Sequence, residues 1–155
     1  MKPVRLIVLG AGARGMDAYA PYALYAPDQL QIAAVAEPRE SRRLAFAARY
    51  GLPQNAAFTD WREALSAGIE ADAVLVATQD NQHVEPACLA MERGYDVLLE
   101  KPIAKTEAEL RRIYDTSVRT GKRAAVCHVL RYTRFFETLK AIIDSGEIGD
   151  VVNIS

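Results

Sequence analysis

Val4-Arg5-Leu6-Ile7-Val8-Leu9-Gly10-Ala11-Gly12-Ala13-Arg14-Gly15 is a short apolar run that opens into a G-x-G-x-x-G loop. The run is rich in Val, Ile and Leu and alternates poorly, the pattern of a parallel strand buried on both faces. The glycines have separable jobs. Gly10 permits a tight turn, Gly12 lets the backbone approach a pyrophosphate, and Gly15 lets the next helix pack close to the strand. Ala13 and Arg14 complete the loop, and the first N–H groups of the helix present positive charge to a phosphate. The stretch therefore predicts a dinucleotide-binding turn at the head of an α/β sheet.

The residues that follow support that context. A second apolar run, Gln31 to Ala36, ends at Glu37. That carboxylate lies roughly 20 residues past the last glycine, where an acid that binds a ribose is expected. Standing alone, Glu37 reads as a solvated acid at a helix start. With the glycine loop it reads as an acceptor for the ribose hydroxyls, repelling a 2′-phosphate. NAD is the expected cofactor. NADP stays possible, because Arg39, Arg42 and Arg43 follow closely and either offset that repulsion or lie solvated at the helix start.

Bulk properties narrow the class. The chain has 155 residues, half of them hydrophobic and a quarter charged, which suits a soluble globular domain with a normal core. A net charge of −1 gives no electrostatic case for nucleic acid or an anionic membrane. No apolar run is long enough to span a bilayer, and the first residues lack a signal-peptide pattern. Cys88 and Cys127 read as buried thiols of a cytoplasmic protein. The two histidines, His83 and His128, are far apart without ligand spacing, so no metal site is expected.

Strand and helix signals alternate along the chain, which predicts a three-layer, doubly wound parallel α/β sheet. A helix is expected from Ala13 toward Ala26, interrupted at Pro21. Others are expected from Ser41 to Tyr50, from a capping box at Asp60-Trp61-Arg62-Glu63 to about Ala67, and from about Gln82 to Arg93. A second capping box, Thr106 to Glu109, opens a helix to about Arg119, and Phe135, Leu139, Ile142 and Ile143 mark one face of a last helix. Further strands are expected near Ala56–Phe58, Asp72–Ala77, Tyr95–Leu99 and Arg123–Val129. A final strand-like run, Val151 to Ser155, reads either as an edge strand that closes the sheet or, the preferred reading, as material leading into a further domain. The expected division is residues 1–128 as the nucleotide-binding domain and 129–155 as a hinge helix and first strand.

Two loops leave the ends of the fourth and fifth strands, the sheet edge at which ligands bind. Ala77-Thr78-Gln79-Asp80-Asn81-Gln82-His83 is rich in hydrogen-bonding side chains, part of which ordinary N-capping by Asp80 or Asn81 explains. Glu100-Lys101-Pro102 places a lysine between an acid and a proline. In isolation Lys101 reads as a solvated lysine. Beside a nicotinamide site it reads as a group that binds a substrate hydroxyl and assists its proton loss.

Together these residues resemble the glucose-fructose oxidoreductase / inositol dehydrogenase family (Gfo/Idh/MocA). The resemblance rests on the glycine loop, on Glu37 after Ala-Val-Ala, and on Ala77-Thr78 with His83 five residues after the threonine. It also rests on Glu100-Lys101-Pro102 and on Arg131-Tyr132 followed by Ser145-Gly146-Glu147-Ile148-Gly149. It implies a Rossmann NAD(P)-binding domain followed by a C-terminal α/β domain that carries substrate contacts and mediates homo-oligomers. It assigns Gly10, Gly12 and Gly15 to the pyrophosphate and Glu37 to the ribose. Thr78, Asn81 and His83 fall on the nicotinamide side, beside Glu100, with Lys101 as the catalytic assistant. Arg131 falls near the active-site entrance. Two departures stand out. Gln79-Asp80 replaces a frequent proline-containing loop, and the Asp and His that the family carries on its second domain have no counterpart in this chain. His128 gets no role from the resemblance and reads as a strand-end residue near the cleft, with packing favoured.

The implied activity is hydride transfer between NAD(P) and a hydroxyl of a sugar, cyclitol or related polyol, with this chain alone inactive. The alternative is a non-catalytic NAD(P)-binding sensor, which has no need of Lys101. A methyltransferase using S-adenosylmethionine is disfavoured by the third glycine and by Glu100-Lys101-Pro102.

Overall fold

A computed structural model describes residues 2–153. Six parallel strands form one sheet in the order β3-β2-β1-β4-β5-β6. They are β1 (Val4–Leu9), β2 (Leu30–Ala36), β3 (Ala57–Phe58), β4 (Ala73–Val76), β5 (Asp96–Leu99) and β6 (Ala124–Val126). The helices are α1 (Tyr22–Tyr25), α2 (Glu40–Tyr50), α3 (Trp61–Ser66), α4 (Val84–Glu92), α5 (Glu107–Thr120) and α6 (Arg134–Ser145). This is the doubly wound arrangement expected from the alternation of elements.

β1 explains its own poor alternation. Ile7 and Leu9 face one core with Val74, Val76, Ala87 and Met91, whereas Leu6 and Val8 face another with Ala20, Val35 and Phe46. Both faces are covered over Leu6 to Leu9, so that stretch of β1 is apolar throughout, and the charged Arg5 stands at its partly exposed start.

Local details depart from expectation in ways that geometry explains. The segment after the glycine loop, Ala13–Tyr19, is a π-helical turn, with the Ala20 N–H donating to the Gly15 carbonyl at 3.1 Å. Pro21 has no N–H to prolong it, and the chain restarts as the single turn α1. At α3 the expected capping box is half present. The short Asp60 carboxylate reaches the second helical N–H, that of Arg62, at 2.7 Å, and the Glu63 carboxylate accepts the Thr59 hydroxyl instead. The Thr106–Glu109 box forms in full and opens α5.

α4 begins at Val84 behind a 3₁₀ turn (Asp80–Gln82), and no side chain caps it at His83. β6 stops at Val126 because the His128 N–H donates back to the Val126 carbonyl at 2.8 Å, closing a tight turn at Cys127. Val129 therefore belongs to a 3₁₀ turn (Val129–Tyr132), not to the strand. α6 has its expected apolar face, but none of its residues is buried. Of the strand expected over 151–155, Val151, Val152 and Asn153 form none, and Ile154 and Ser155 lie outside the described residues.

Candidate dinucleotide site

Strand order reverses between β1 and β4, and the loops leaving the strand ends on either side of that point build the site. Each ladder runs one residue beyond its strand and thereby fixes the first residue of the loop. Gly10 donates to the Ala36 carbonyl at 2.8 Å, Glu37 to Phe58 at 3.0 Å, Ala77 to Leu9 at 2.9 Å and Glu100 to Val76 at 3.0 Å.

The glycine loop is shaped by two unavoidable contacts. Gly10 sits at φ +94°, and a Cβ there would stand 2.5 Å from the Ala77 carbonyl oxygen. A Cβ on Gly15 would stand 2.0 Å from the Gly10 carbonyl oxygen, so only glycine lets the π-helical turn lie against the end of β1. Gly12 differs. Its nearest neighbour would be an Arg42 guanidinium nitrogen at 3.8 Å, so the space above it is open. An open backbone at the head of a helical segment suits a pyrophosphate.

Glu37 is buried at 5 % exposure, and both carboxylate oxygens hold backbone. Oε2 accepts the Ala11 N–H at 2.9 Å and Oε1 accepts the Arg39 N–H at 3.0 Å. The acid thus braces the glycine loop, and an ionised carboxylate keeps further lone pairs for ribose hydroxyls. Beside it lies a cavity of about 510 Å³ whose wall includes Gly12, Glu37, Arg42, Trp61, Arg62 and Thr78. Arg39 also lines it, whereas Arg43 turns away and donates to the Glu37 carbonyl at 2.9 Å. Glycine loop, buried acceptor and adjoining cavity fit the pyrophosphate and adenosine parts of NAD.

The other end of the edge is organised around Glu100. This carboxylate, 5 % exposed, accepts the Tyr19 hydroxyl at 2.7 Å and the Lys101 N–H at 2.9 Å, and the Arg14 Nε lies 3.5 Å away. Burial, the neighbouring Cys127 thiol and Glu100 all push the Tyr19 hydroxyl well above its usual pKa, so it remains the proton donor. Burial likewise raises the Cys127 thiol. Glu100 thereby ties β5 to the segment after the glycine loop. Lys101 itself is exposed and lines a cavity of about 340 Å³ with Pro102 and His128. His128 is exposed there, not packed as its sequence context suggested.

His83 is 1 % exposed. Its Nδ1 lies 2.7 Å from the Pro102 carbonyl oxygen and its Nε2 lies 3.2 Å from that of Thr78. A carbonyl only accepts, so the shorter contact is an N–H donated to Pro102. The ring therefore joins the Thr78 loop to the Lys101 loop from beneath and does not open onto either cavity.

Thr78 lines the larger cavity and donates its hydroxyl to the Gln82 carbonyl at 3.0 Å. Asn81 is exposed in the 3₁₀ turn, and Arg131 is exposed beyond β6; neither lines these two cavities. Ala13 and Arg14 are exposed at the start of the π-helical turn. Sequence reasoning passed over Tyr19 and treated Trp61 and Arg62 only as part of a cap. The one signal for the latter pair was that Trp61 is the sole tryptophan.

Comparison with known proteins agrees with this geometry. The family model described as an oxidoreductase family with an NAD-binding Rossmann fold matches residues 4–128. Inositol 2-dehydrogenase of Streptomyces avermitilis is 37 % identical over 144 residues, covering 92 % of this chain and 40 % of that protein. D-glucoside 3-dehydrogenase of Escherichia coli is 30 % identical over 149 residues, covering 96 % and 41 %. The crystal structure of an NAD-binding protein from Listeria innocua superposes with a TM-score of 0.80 at 31 % identity, covering 97 % of this chain and 41 % of that one. The chain thus spans about two fifths of the length of the relatives it matches. Among the described residues no helix is long and apolar enough to cross a membrane, and no cluster of His, Cys, Asp or Glu could hold a metal ion. The chain belongs to the Gfo/Idh/MocA oxidoreductase family, and residues 4–128 are its NAD-binding Rossmann domain.

Proposed function

We propose that this chain is the cofactor-binding part of a dehydrogenase that oxidises a ring hydroxyl of a cyclitol or sugar. The observation that carries the reading is the position of Lys101. It follows the buried Glu100, both of whose oxygens accept hydrogen bonds, at the end of β5 and lines an open cavity with His128. Bound NAD supplies the redox couple. The residues of this chain position it and handle the proton. Gly10 and Gly15 set the loop, Gly12 leaves room for the pyrophosphate, and Glu37 accepts the ribose hydroxyls.

Lys101 Nζ hydrogen-bonds the substrate hydroxyl oxygen and assists its proton loss as the carbonyl forms, and Glu100 holds the lysine backbone in place. The names of the inositol and glucoside dehydrogenases among the relatives support a polyol substrate. The relatives are more than twice as long as the part this chain matches, and this reading gives substrate contacts and oligomerisation to the kind of sequence they carry outside it, so that residues 1–155 by themselves bind cofactor without turnover.

The test uses the complete polypeptide that carries this chain, screened for NAD reduction with inositols and glucosides. Lys101→Met is expected to lower kcat by about 10²–10⁴-fold, with NAD affinity unchanged. Undiminished turnover in Lys101→Met would instead favour a role for the domain that does not use the lysine.

A further inference from the structure

The larger cavity has a wall that neither the glycine loop nor Glu37 accounts for. Trp61, at the start of α3, packs its ring against the apolar core. The Arg62 guanidinium lies over that ring, 4.0 Å from its centroid. Asp60 fixes the arginine further, its Oδ2 lying 3.4 Å from an Arg62 guanidinium nitrogen while its Oδ1 caps the helix. All three residues line the cavity together with Gly12 and Glu37. A guanidinium is planar and delocalised and stacks on aromatic faces. Sandwiched on an indole and tethered by a carboxylate, it is a pre-set flat platform instead of a roaming surface charge.

We infer that Arg62, held on Trp61, is the stacking platform for the adenine ring of the cofactor and therefore sets affinity through the adenosine half. This rests on the proposed NAD site and deepens it. The position agrees with what borders it. Glu37 stands at the ribose-binding position after β2, Gly12 at the pyrophosphate position, and the Trp61–Arg62 wall completes the cavity they share. A purine stacks on a guanidinium plane through its π-face, and the indole beneath shares the cation, so the two contacts add on opposite faces of one group.

The experiment titrates the chain with NAD, 5′-AMP and nicotinamide mononucleotide, by calorimetry and by the fluorescence of Trp61, which is the only tryptophan. Both NAD and 5′-AMP are expected to change the Trp61 emission, and the mononucleotide is not. Arg62→Ala should weaken NAD and 5′-AMP by the same factor, about tenfold. Arg62 is exposed, so this variant should keep the fold. Arg62→Lys keeps the charge and removes the plane, and should lose nearly as much as Arg62→Ala. Full affinity for 5′-AMP in either variant, while NAD still binds the unaltered chain, overturns the platform and leaves the NAD site standing. If the unaltered chain binds neither NAD nor 5′-AMP, both readings are overturned, and if it binds NAD but not 5′-AMP, the platform alone is.

Discussion

The Glu37 carboxylate accepts the N–H of Ala11 at 2.9 Å, so the acid that closes β2 is built into the glycine loop that follows β1. Its other oxygen holds the Arg39 N–H. Loop geometry therefore depends on the same side chain that we propose accepts the ribose hydroxyls.

Glu37→Ala should destabilise the chain as well as weaken NAD. It leaves the buried Ala11 N–H without a partner, a loss of about 1–3 kcal/mol, read as a lower urea midpoint at unchanged slope. Glu37→Gln keeps one acceptor oxygen and removes the charge. It should weaken NAD and raise the NADP-to-NAD affinity ratio, because Arg39 and Arg42 then face a 2′-phosphate without an opposing carboxylate. An unchanged ratio in parallel titrations would mean that Glu37 serves the loop alone.

The glycines should separate in mutagenesis. Gly15→Ala places a methyl 2.0 Å from the Gly10 carbonyl oxygen, a backbone atom with no room to yield. Overpacking of that kind costs about 1–3 kcal/mol, and cofactor binding should fall with stability. Gly12→Ala meets nothing closer than 3.8 Å. It should melt close to the unaltered chain yet lose NAD, because its methyl occupies the pyrophosphate position. Thermal melts alongside calorimetry distinguish the two, and strong NAD binding by Gly12→Ala would remove the pyrophosphate from that place.

The parts of this molecule that sequence made legible are those set by short-range rules. β1 is legible because its stretch buried on both faces, Leu6 to Leu9, is apolar at every position, and Gly10 because a turn at φ +94° admits little else. The Thr106–Glu109 box was readable because both its bonds are local. What escaped depends on residues distant in sequence. The resemblance puts His83 on the nicotinamide side with Thr78, and nothing local in the sequence shows that its closer partner is the Pro102 carbonyl, 19 residues away. Glu100 was placed beside the cofactor, yet it is engaged by Tyr19, 81 residues earlier. The π-helical turn also escaped, since no periodicity announces a single widened turn.

His83 should behave as a tie between two loops. His83→Leu fills similar space but removes the N–H that the ring donates to the Pro102 carbonyl. Unfolding should become easier by about 1–3 kcal/mol. Hydrogen exchange at the Lys101 and Ile103 amides should accelerate more than exchange in β1. Equal acceleration throughout would indicate general destabilisation without a specific hold on the lysine loop.

Acid should find its weak points at two carboxylates that arginines hold across neighbouring elements. The Asp96 side chain accepts the Arg123 backbone N–H at 2.9 Å and its guanidinium at 2.6 Å, and these bonds pull its pKa below the ordinary 3.8. Glu85, paired with Arg112 between α4 and α5, is lowered from 4.5 chiefly by that hydrogen bond. A carboxylate with a depressed pKa binds fewer protons folded than unfolded, so its contribution is fully present above the unfolded value. That contribution is lost as pH falls through the folded value. Stability is therefore expected to decline with pH below about 4.5 and on past 3.8. Asp96→Asn and Glu85→Gln should each flatten part of that slope while lowering stability at neutral pH. Urea midpoints measured from pH 7 down to 3, with the double variant included, check this. Slopes identical to that of the unaltered chain would place the acid sensitivity at other carboxylates.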